Sequence, residues 1–213
     1  MKNKAYTPKN RVLYYIMKPV LTVLLPVFYS VKCYGKENLP KEGKLILASN
    51  HISIVDPVML LVKLPRVIHF MAKSEIFKRP FLNWFFRNMN AFPVNRGKSD
   101  TNALSYAISV LENPWVFGIF PEGGTSDDRL PKRAKSGVAY IARTTKADVL
   151  PVSIYMTPGK RTLRPKVTIR IGKVIKNGEL GFTGEEKTRE LKDASRLIMD
   201  RIVAMWDKKH ERV

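Results

Sequence analysis

The sequence has a single cysteine, Cys33, and only three histidines among its 213 residues. One cysteine excludes an internal disulfide framework and is typical of a reducing compartment. With so few imidazole and thiolate groups, we expect no dedicated metal site. The nucleophile elbow G-x-S-x-G is also absent. Nothing in the sequence therefore indicates covalent catalysis through a serine or a cysteine.

Acidic residues are scarce: 18 Asp and Glu stand against 38 Lys and Arg, which gives a net charge of +20. Such a field attracts nucleic acid, an anionic bilayer surface or an acidic carrier protein, and charge alone does not choose among them. No recognisable nucleic-acid-binding motif organises the basic residues, so we expect no nucleic-acid partner. A hydrophobic content of 45% and a charged content of 26% are typical of a folded globular chain.

The longest apolar run, residues 12–31, approaches the length of a transmembrane helix. Lys18, Pro19 and Pro26 argue against a span, because a charge in mid-membrane is costly and proline breaks or kinks helices. We predict instead two short apolar helices that lie in the bilayer interface. The alternative is a hairpin buried in the protein core.

This run divides the chain into two predicted parts. Residues 1–34 form a membrane-associating helical segment, and residues 35–213 form the main domain. In the second part, buried strands are predicted at 44–49, 67–72, 115–120, 149–155 and 166–175, with helical patterns between them and at the C-terminus. This alternation predicts a single α/β domain with a mostly parallel or mixed sheet flanked by helices.

A histidine and an aspartate follow the first of these strands in "LILASNHISIVDPVML". Asp56 and Pro57 are a helix-start signal, which places His51 in the preceding loop. If the chain bends between His51 and Asp56, the carboxylate fixes the imidazole tautomer and leaves the other ring nitrogen as a base. The alternative is a surface histidine beside a simple helix cap.

Two later stretches carry further candidate residues. "AFPVNRG" presents Asn95 and Arg96. An arginine followed by a glycine can hold phosphate, although it can equally be an ordinary solvated arginine. "IFPEGGTS" presents Glu122 and Gly123 where a strand ends, the place at which parallel sheets bind ligands. Glu122 could order a substrate hydroxyl, pair with Arg96, or serve only the turn.

In this order, "NHISIVD", "FPVNRG", "FPEGGTS" and "VLPVSI" resemble the four motifs of the glycerolipid acyltransferase family, most of all the 1-acylglycerol-3-phosphate acyltransferases. The resemblance covers about residues 34–175. It implies that His51 is the general base and Asp56 its orienting partner. It also implies that substrate is bound by Asn95, Arg96 (to the phosphate), Glu122, Gly123 and Lys135, the last in a Lys-x-Gly feature. The family reads F-P-E-G-T-R-S where this chain has Gly124 and Thr125, so one cation is missing and the acceptor head group stays open.

The resemblance implies a reaction as well as residues. An acyl group passes from acyl-ACP or acyl-CoA, as co-substrate, to the 2-hydroxyl of lysophosphatidic acid by direct general-base catalysis, with no other cofactor. The implied partners are an anionic phospholipid membrane, lysophosphatidic acid, and an acyl carrier protein or coenzyme A thioester. The implied location is the cytoplasmic face of the membrane, as a peripheral or monotopic protein. Two alternatives remain: an acyltransferase for glycerol-3-phosphate or another lysophospholipid, and a non-catalytic basic module that binds membranes or nucleic acid.

Overall fold

A computed structural model describes residues 11–95, 101–158 and 162–211. Its helices are α1 (Arg11–Phe28), α2 (Asp56–Lys63), α3 (Pro80–Asn88), α4 (Thr101–Leu111), α5 (Gly137–Thr145) and α6 (Lys187–Trp206). Its strands are β1 (Ser30–Tyr34), β2 (Leu45–Ser49), β3 (Ile68–Lys73), β4 (Ala91–Val94), β5 (Val116–Ile119), β6 (Asp148–Met156) and β7 (Lys166–Ile171).

The seven strands form one sheet in the order β1-β7-β6-β2-β5-β3-β4. Neighbours run parallel except β6 and β7, which are antiparallel, so β1 and β7 run against the other five strands. The expected α/β fold with a mixed sheet is therefore confirmed. Because β2, β5 and β3 lie side by side and parallel, their carboxyl ends meet at one edge of the sheet.

Both faces of the sheet are covered, as strand alternation requires. The face that carries Ile46 and Phe117 packs against α4, α5 and α6. The opposite face, with Leu45 and Leu47, packs against α2 and the end of α1. The strands at the centre are thus buried on both sides, which explains their nearly continuous apolar sequences.

Strand β1 was not predicted, because its residues continue the apolar N-terminal run. Ser30 pairs with Lys166 and Tyr34 with Arg170, so the strand forms an edge of the sheet. The division of the chain at residue 34 stays a prediction.

The two short N-terminal helices that we expected are instead one helix, α1, with Pro19 and Pro26 inside it. Contacts with the rest of the protein support this helix in spite of the prolines: Tyr14 is buried, and the Lys18 ammonium donates to the carbonyl oxygen of Leu64 at 2.7 Å. Lys18 thus binds the C-terminal end of α2, where cations are favourable. Among the described helices, none combines the length and hydropathy that crossing a bilayer demands.

The outer face of α1 is apolar as well as exposed. Surface helices of globular proteins normally turn polar residues outward. Here the exposed residues recur at helical spacing, and the large apolar ones among them are Val12, Tyr15, Ile16, Val20, Val23, Leu24, Val27 and Phe28. A contiguous apolar patch of this kind marks an interaction surface. We call these eight residues the α1 surface.

A buried arginine fixes the C-terminal end of α6. The Arg170 guanidinium, on β7, donates hydrogen bonds to the carbonyl oxygens of Lys209 at 2.7 Å and Glu211 at 2.7 Å, with longer bonds to Met205 and Lys208. Burial lowers the pKa of Arg170, and the nearby Tyr34 and Glu211 oppose that change. The guanidinium satisfies carbonyls that have no partner within the helix.

Replacing Arg170 with methionine is expected to lower the free energy of unfolding by about 2–4 kcal/mol, since several carbonyls lose a charged donor at once. Urea unfolding followed by far-UV circular dichroism measures the change. Arg201→Met, at an exposed position of the same helix, is the matched control and should shift stability by less than about 0.5 kcal/mol. Equal midpoints for both variants would show that the carbonyl contacts contribute nothing.

Candidate active site

The candidate residues gather where adjacent parallel strands end. His51 comes two residues after β2, and Glu122 comes three residues after β5, the neighbour of β2 in the sheet. The strand order therefore brings together two loops that are far apart in sequence. This is the edge at which parallel sheets bind ligands.

The His51 imidazole is held by the Asp56 carboxylate. Nδ1 of His51 lies 2.9 Å from Oδ2 of Asp56, and both side chains are buried. A carboxylate at this position accepts a proton from Nδ1–H, which leaves Nε2 as the lone-pair nitrogen. Among the described residues, no group is hydrogen-bonded to Nε2.

Asp56 does not act as the expected cap of α2, because it is the first helical residue and its carboxylate makes no capping bond to the helix. The same Oδ2 atom instead accepts hydrogen bonds from the backbone N–H groups of Ile52 at 2.7 Å and Ser53 at 2.8 Å. These bonds close the loop between His51 and Asp56 into the bend that contact requires. One carboxylate thus orders the loop and the imidazole together.

The Glu122 carboxylate contacts the backbone of the same histidine. Oε1 of Glu122 accepts the N–H of His51 at 3.1 Å, and the N–H of Ser126 donates to the carbonyl oxygen of His51 at 2.7 Å. The loop after β5 therefore binds both the N–H and the C=O of His51. The observed position of Glu122 indicates that it positions His51.

Phe120 supports the imidazole ring from one side. The two rings stack with centroids 4.0 Å apart and an interplanar angle of 16°. This contact fixes the direction of Nε2, since a ring held at Nδ1 and stacked on one face has little freedom to rotate. Sequence reasoning missed this role and that of Ser126, although both residues lie in the quoted "IFPEGGTS" stretch.

Burial raises the pKa of Glu122 to about 7. The N–H groups of His51 and Lys132 and the charge of Lys132 oppose this effect, while Asp56 adds to it. The folded state therefore holds the Glu122 proton more tightly than the unfolded chain does. Its stabilising contribution is present below the unfolded pKa of 4.5 and is lost as pH rises through about 7.

Glu122→Gln is expected to remove this pH dependence. Relative to the variant, the wild type should lose on the order of 1–3 kcal/mol of unfolding free energy between about pH 5 and about pH 8, because only the wild type must ionise a buried carboxyl. Urea titrations of both proteins across that range measure the difference, and effects of the +20 net charge cancel in the comparison. Parallel stability curves would mean that Glu122 ionises normally.

A cavity of about 440 Å³ is lined by Phe120 and by three of the predicted substrate-binding residues, Asn95, Gly123 and Lys135. Most of its remaining lining is apolar, as in Met71, Leu104, Ile119 and Ile141. Gly123 has a φ of +76°, and a Cβ atom there would lie 2.8 Å from Nζ of Lys135. The Lys135 ammonium therefore lies directly over this glycine.

A second cavity, of about 760 Å³, lies beside the His51–Asp56 loop. Ile52, Ser53 and Val55 from that loop line it, together with Leu25 and Phe28 from α1. We call it the α1 cavity. Both cavities are largely apolar, and each borders a neighbour of His51: Phe120 lines the first, and Ile52 and Ser53 line the second.

Arg96 is the one predicted site residue that falls outside the described residues. The structure brings together the other six, namely His51, Asp56, Asn95, Glu122, Gly123 and Lys135. Within residues 11–95, 101–158 and 162–211, no group of three or more His, Cys, Asp or Glu side chains is placed to hold a metal ion.

Comparison with known proteins matches most of the chain, including these loops, to one protein family. The family model described as Acyltransferase matches residues 30–155, which is more than half of the chain and includes both loops of the site.

Curated relatives and a solved structure agree with that match. A 1-acyl-sn-glycerol-3-phosphate acyltransferase of Bacillus subtilis is 34% identical over 159 residues, 73% of this chain and 78% of the relative. An enzyme of the same name from Streptococcus pneumoniae is 27% identical over 190 residues, 86% of this chain and 70% of the relative. The crystal structure of the 1-acyl-sn-glycerophosphate (LPA) acyltransferase PlsC from Thermotoga maritima superposes with a TM-score of 0.71 at 27% identity, covering 96% of this chain and 85% of that one.

Proposed function

The chain belongs to the acyltransferase family, and from that membership we propose that it is a 1-acylglycerol-3-phosphate O-acyltransferase that makes phosphatidic acid by general-base catalysis at His51. The observation that carries the mechanism is the 2.9 Å contact between Nδ1 of His51 and the buried Asp56 carboxylate. This contact leaves Nε2 available to take a proton. The relatives from two bacteria carry the name of this activity.

The reaction needs no covalent enzyme intermediate. Nε2 of His51 takes the proton of the 2-hydroxyl of lysophosphatidic acid while that oxygen attacks the thioester carbonyl carbon of acyl-ACP or acyl-CoA. The C–S bond then breaks, and the thiolate leaves with the proton returned by the imidazolium. Asp56 stabilises the imidazolium without taking its proton.

The phosphate of the acceptor requires cations, and the missing family arginine raises the question of which residue supplies them. Lys135 lies over Gly123 within the cavity that contains Asn95. We assign Lys135, with Arg96, to the acceptor phosphate and Asn95 to the acceptor's polar region. Glu122 and Gly123 then shape the loop against which the acceptor rests.

The two apolar cavities suit a reaction between two lipid chains. Phe120, which stacks on His51, lines one of them, and Ile52 and Ser53 of the His51–Asp56 loop line the other together with residues of α1. The acyl chains of the donor and the acceptor must converge on one reacting carbon and one oxygen. Two apolar cavities that each border a neighbour of His51 suit that requirement.

We place the protein on the cytoplasmic face of a membrane, as a peripheral protein, and the α1 surface supports its attachment to a bilayer. Its apolar residues face outward along the whole helix, and its buried side is anchored through Tyr14 and Lys18. A helix of this kind lies in the interfacial plane with its apolar face in lipid. The net charge of +20 favours an anionic bilayer.

The test is acyl transfer by the purified protein in non-ionic detergent, with acyl-CoA and acyl-ACP as alternative donors. Lysophosphatidic acid, glycerol-3-phosphate and lysophosphatidylcholine are compared as acceptors at equal concentration. We expect the highest kcat/KM with lysophosphatidic acid. A preference for glycerol-3-phosphate would reassign the acceptor, and no transfer to any of the three would refute the proposal.

A further inference from the structure

A second polar site lies away from the His51–Asp56 pair, beside the start of β7. It is a cleft of about 310 Å³ to which Thr157, Thr162, Arg164, Lys166 and His210 contribute polar side chains. We call these five residues the basic cleft. None of them takes part in the proposed reaction. Thr162 and Arg164 lie just before β7, and Lys166 is its first residue.

The floor of the basic cleft is ordered by His210. Its Nδ1 lies 2.9 Å from the hydroxyl of Thr168 and its Nε2 lies 3.2 Å from the hydroxyl of Thr157. The ring also packs edge-on against Tyr155, with centroids 4.7 Å apart. Because both ring nitrogens are hydrogen-bonded, the imidazole is held in place in the floor of the cleft.

The charged side chains that act on the His210 imidazole are all positive. Within the described residues, no carboxylate lies within ion-pair distance of Lys32, Arg164 or Lys166. Lys32 belongs to the same site, since it is the strand partner of Thr168. Burial lowers the pKa of His210, and the positive charges of Lys166, Arg170 and Lys32 lower it further. An anion entering the cleft would therefore meet uncompensated cations.

The basic cleft is continuous with apolar surface on one side. Thr162 and Pro165 line both this cleft and the α1 cavity. Between them Leu163 is fully exposed, and Phe28 of α1, which lines the same cavity, is 60% exposed. Exposed apolar side chains beside a cationic pocket match the phosphate and the acyl region of a phospholipid in the interface of a bilayer.

We propose that the basic cleft binds the headgroup phosphate of an anionic phospholipid and thereby docks the protein on the bilayer, with Leu163 and the α1 surface inserted beside it. The choice of a lipid as the source of the phosphate rests on the proposed lipid substrate of the enzyme. The binding step itself is independent of acyl transfer. Docking at both α1 and residue 163 would direct the opening of the α1 cavity toward the membrane.

Co-sedimentation with phosphatidylcholine vesicles that contain a minority of phosphatidylglycerol tests this proposal. The variant Arg164→Gln/Lys166→Gln removes two charges from the cleft. Lys187→Gln/Lys192→Gln removes two exposed charges from the other end of α6, roughly 25 Å along that helix from the cleft, and is the matched control. We expect the cleft variant to raise the Kd for these vesicles about tenfold or more, and the control to raise it less than about threefold.

Equal losses in the two variants would overturn the proposal, because they would show that binding responds only to total charge. A second arm adds inorganic phosphate, against chloride at equal ionic strength. Because a headgroup phosphate and inorganic phosphate compete for one site, phosphate should displace the wild type and leave the cleft variant unaffected. Cleft-dependent binding of inorganic phosphate without cleft-dependent vesicle binding would assign the site to free phosphate and overturn the lipid assignment.

The two proposals fail in distinguishable ways. In non-ionic detergent, which lacks an anionic surface, the cleft variant should transfer acyl groups at the wild-type rate. Its urea midpoint should also equal that of the wild type. Vesicle binding without acyl transfer by the wild type would refute only the enzyme assignment, and transfer without cleft-dependent binding would refute only the docking site.

Discussion

The variant His51→Ala is expected to lose acyl transfer by at least about 10²–10⁴ in kcat, since that is the usual contribution of a positioned general base. The imidazole is the only group in the site with a lone-pair nitrogen held by a buried carboxylate, among the residues that the structure describes. Alanine also removes the stacking contact with Phe120, which affects local order more than overall stability. Single-turnover transfer from acyl-CoA to lysophosphatidic acid measures the change directly.

The matched control is His69→Gln. His69 is buried and stacks on Trp115, within the core on β3, so the variant loses a histidine without touching the site. If folded, it should keep most of the wild-type turnover. Turnover by His51→Ala within about tenfold of the wild type would reject general-base catalysis at this residue.

The variant Asp56→Asn is expected to lower kcat by up to about 10⁴-fold while changing KM little, because it leaves the shape of the site intact and removes the charge that stabilises the imidazolium. The amide oxygen can still accept the N–H groups of Ile52 and Ser53 that close the loop. The same oxygen also faces Nδ1 of His51, so the tautomer is kept, but the neutral amide has no charge to stabilise the imidazolium that forms when Nε2 takes the proton. Steady-state kinetics at saturating donor separate the two parameters.

Asp127→Asn, an exposed position in the loop after β5, is the matched control and should leave both parameters near those of the wild type. The double variant His51→Ala/Asp56→Asn gives a second criterion. Because both residues serve one proton transfer, it should be about as slow as His51→Ala alone. Fully multiplicative losses would mean that Asp56 acts elsewhere.

Much of this site could be predicted from the sequence, because each part of it is determined by residues that are close together in the chain. The strand that ends before His51, the helix start at Asp56 and Pro57, and the turn after Glu122 each depend on a few neighbouring residues. Parallel strands with buried faces then predict that their carboxyl ends share one edge. The loops that follow β2 and β5 lie close together once these two strands are neighbours in the sheet.

The parts that the sequence did not predict depend on distant partners. Residues 30–34 continue an apolar run, and only the pairing with β7 makes them a strand. Lys18 and Pro19 indicated a break in α1, but the carbonyl of Leu64 holds the lysine in place. Asp56 looked like a helix cap, whereas its carboxylate turns back to the preceding loop. In each case a tertiary contact outweighs a local preference.

The pairing of β1 with β7 also determines when the sheet can finish folding during synthesis of the chain. Ser30 pairs with Lys166, so β1 leaves the ribosome before the strand that it pairs with has been made. Until residue 171 has emerged, β1 has no strand beside it, and the nascent chain already carries the apolar α1 surface. Contacts of such long sequence separation form late and slowly. Chains interrupted before residue 171 should therefore leave both β1 and an edge of β6 unpaired, and aggregation of such fragments is the expected fate.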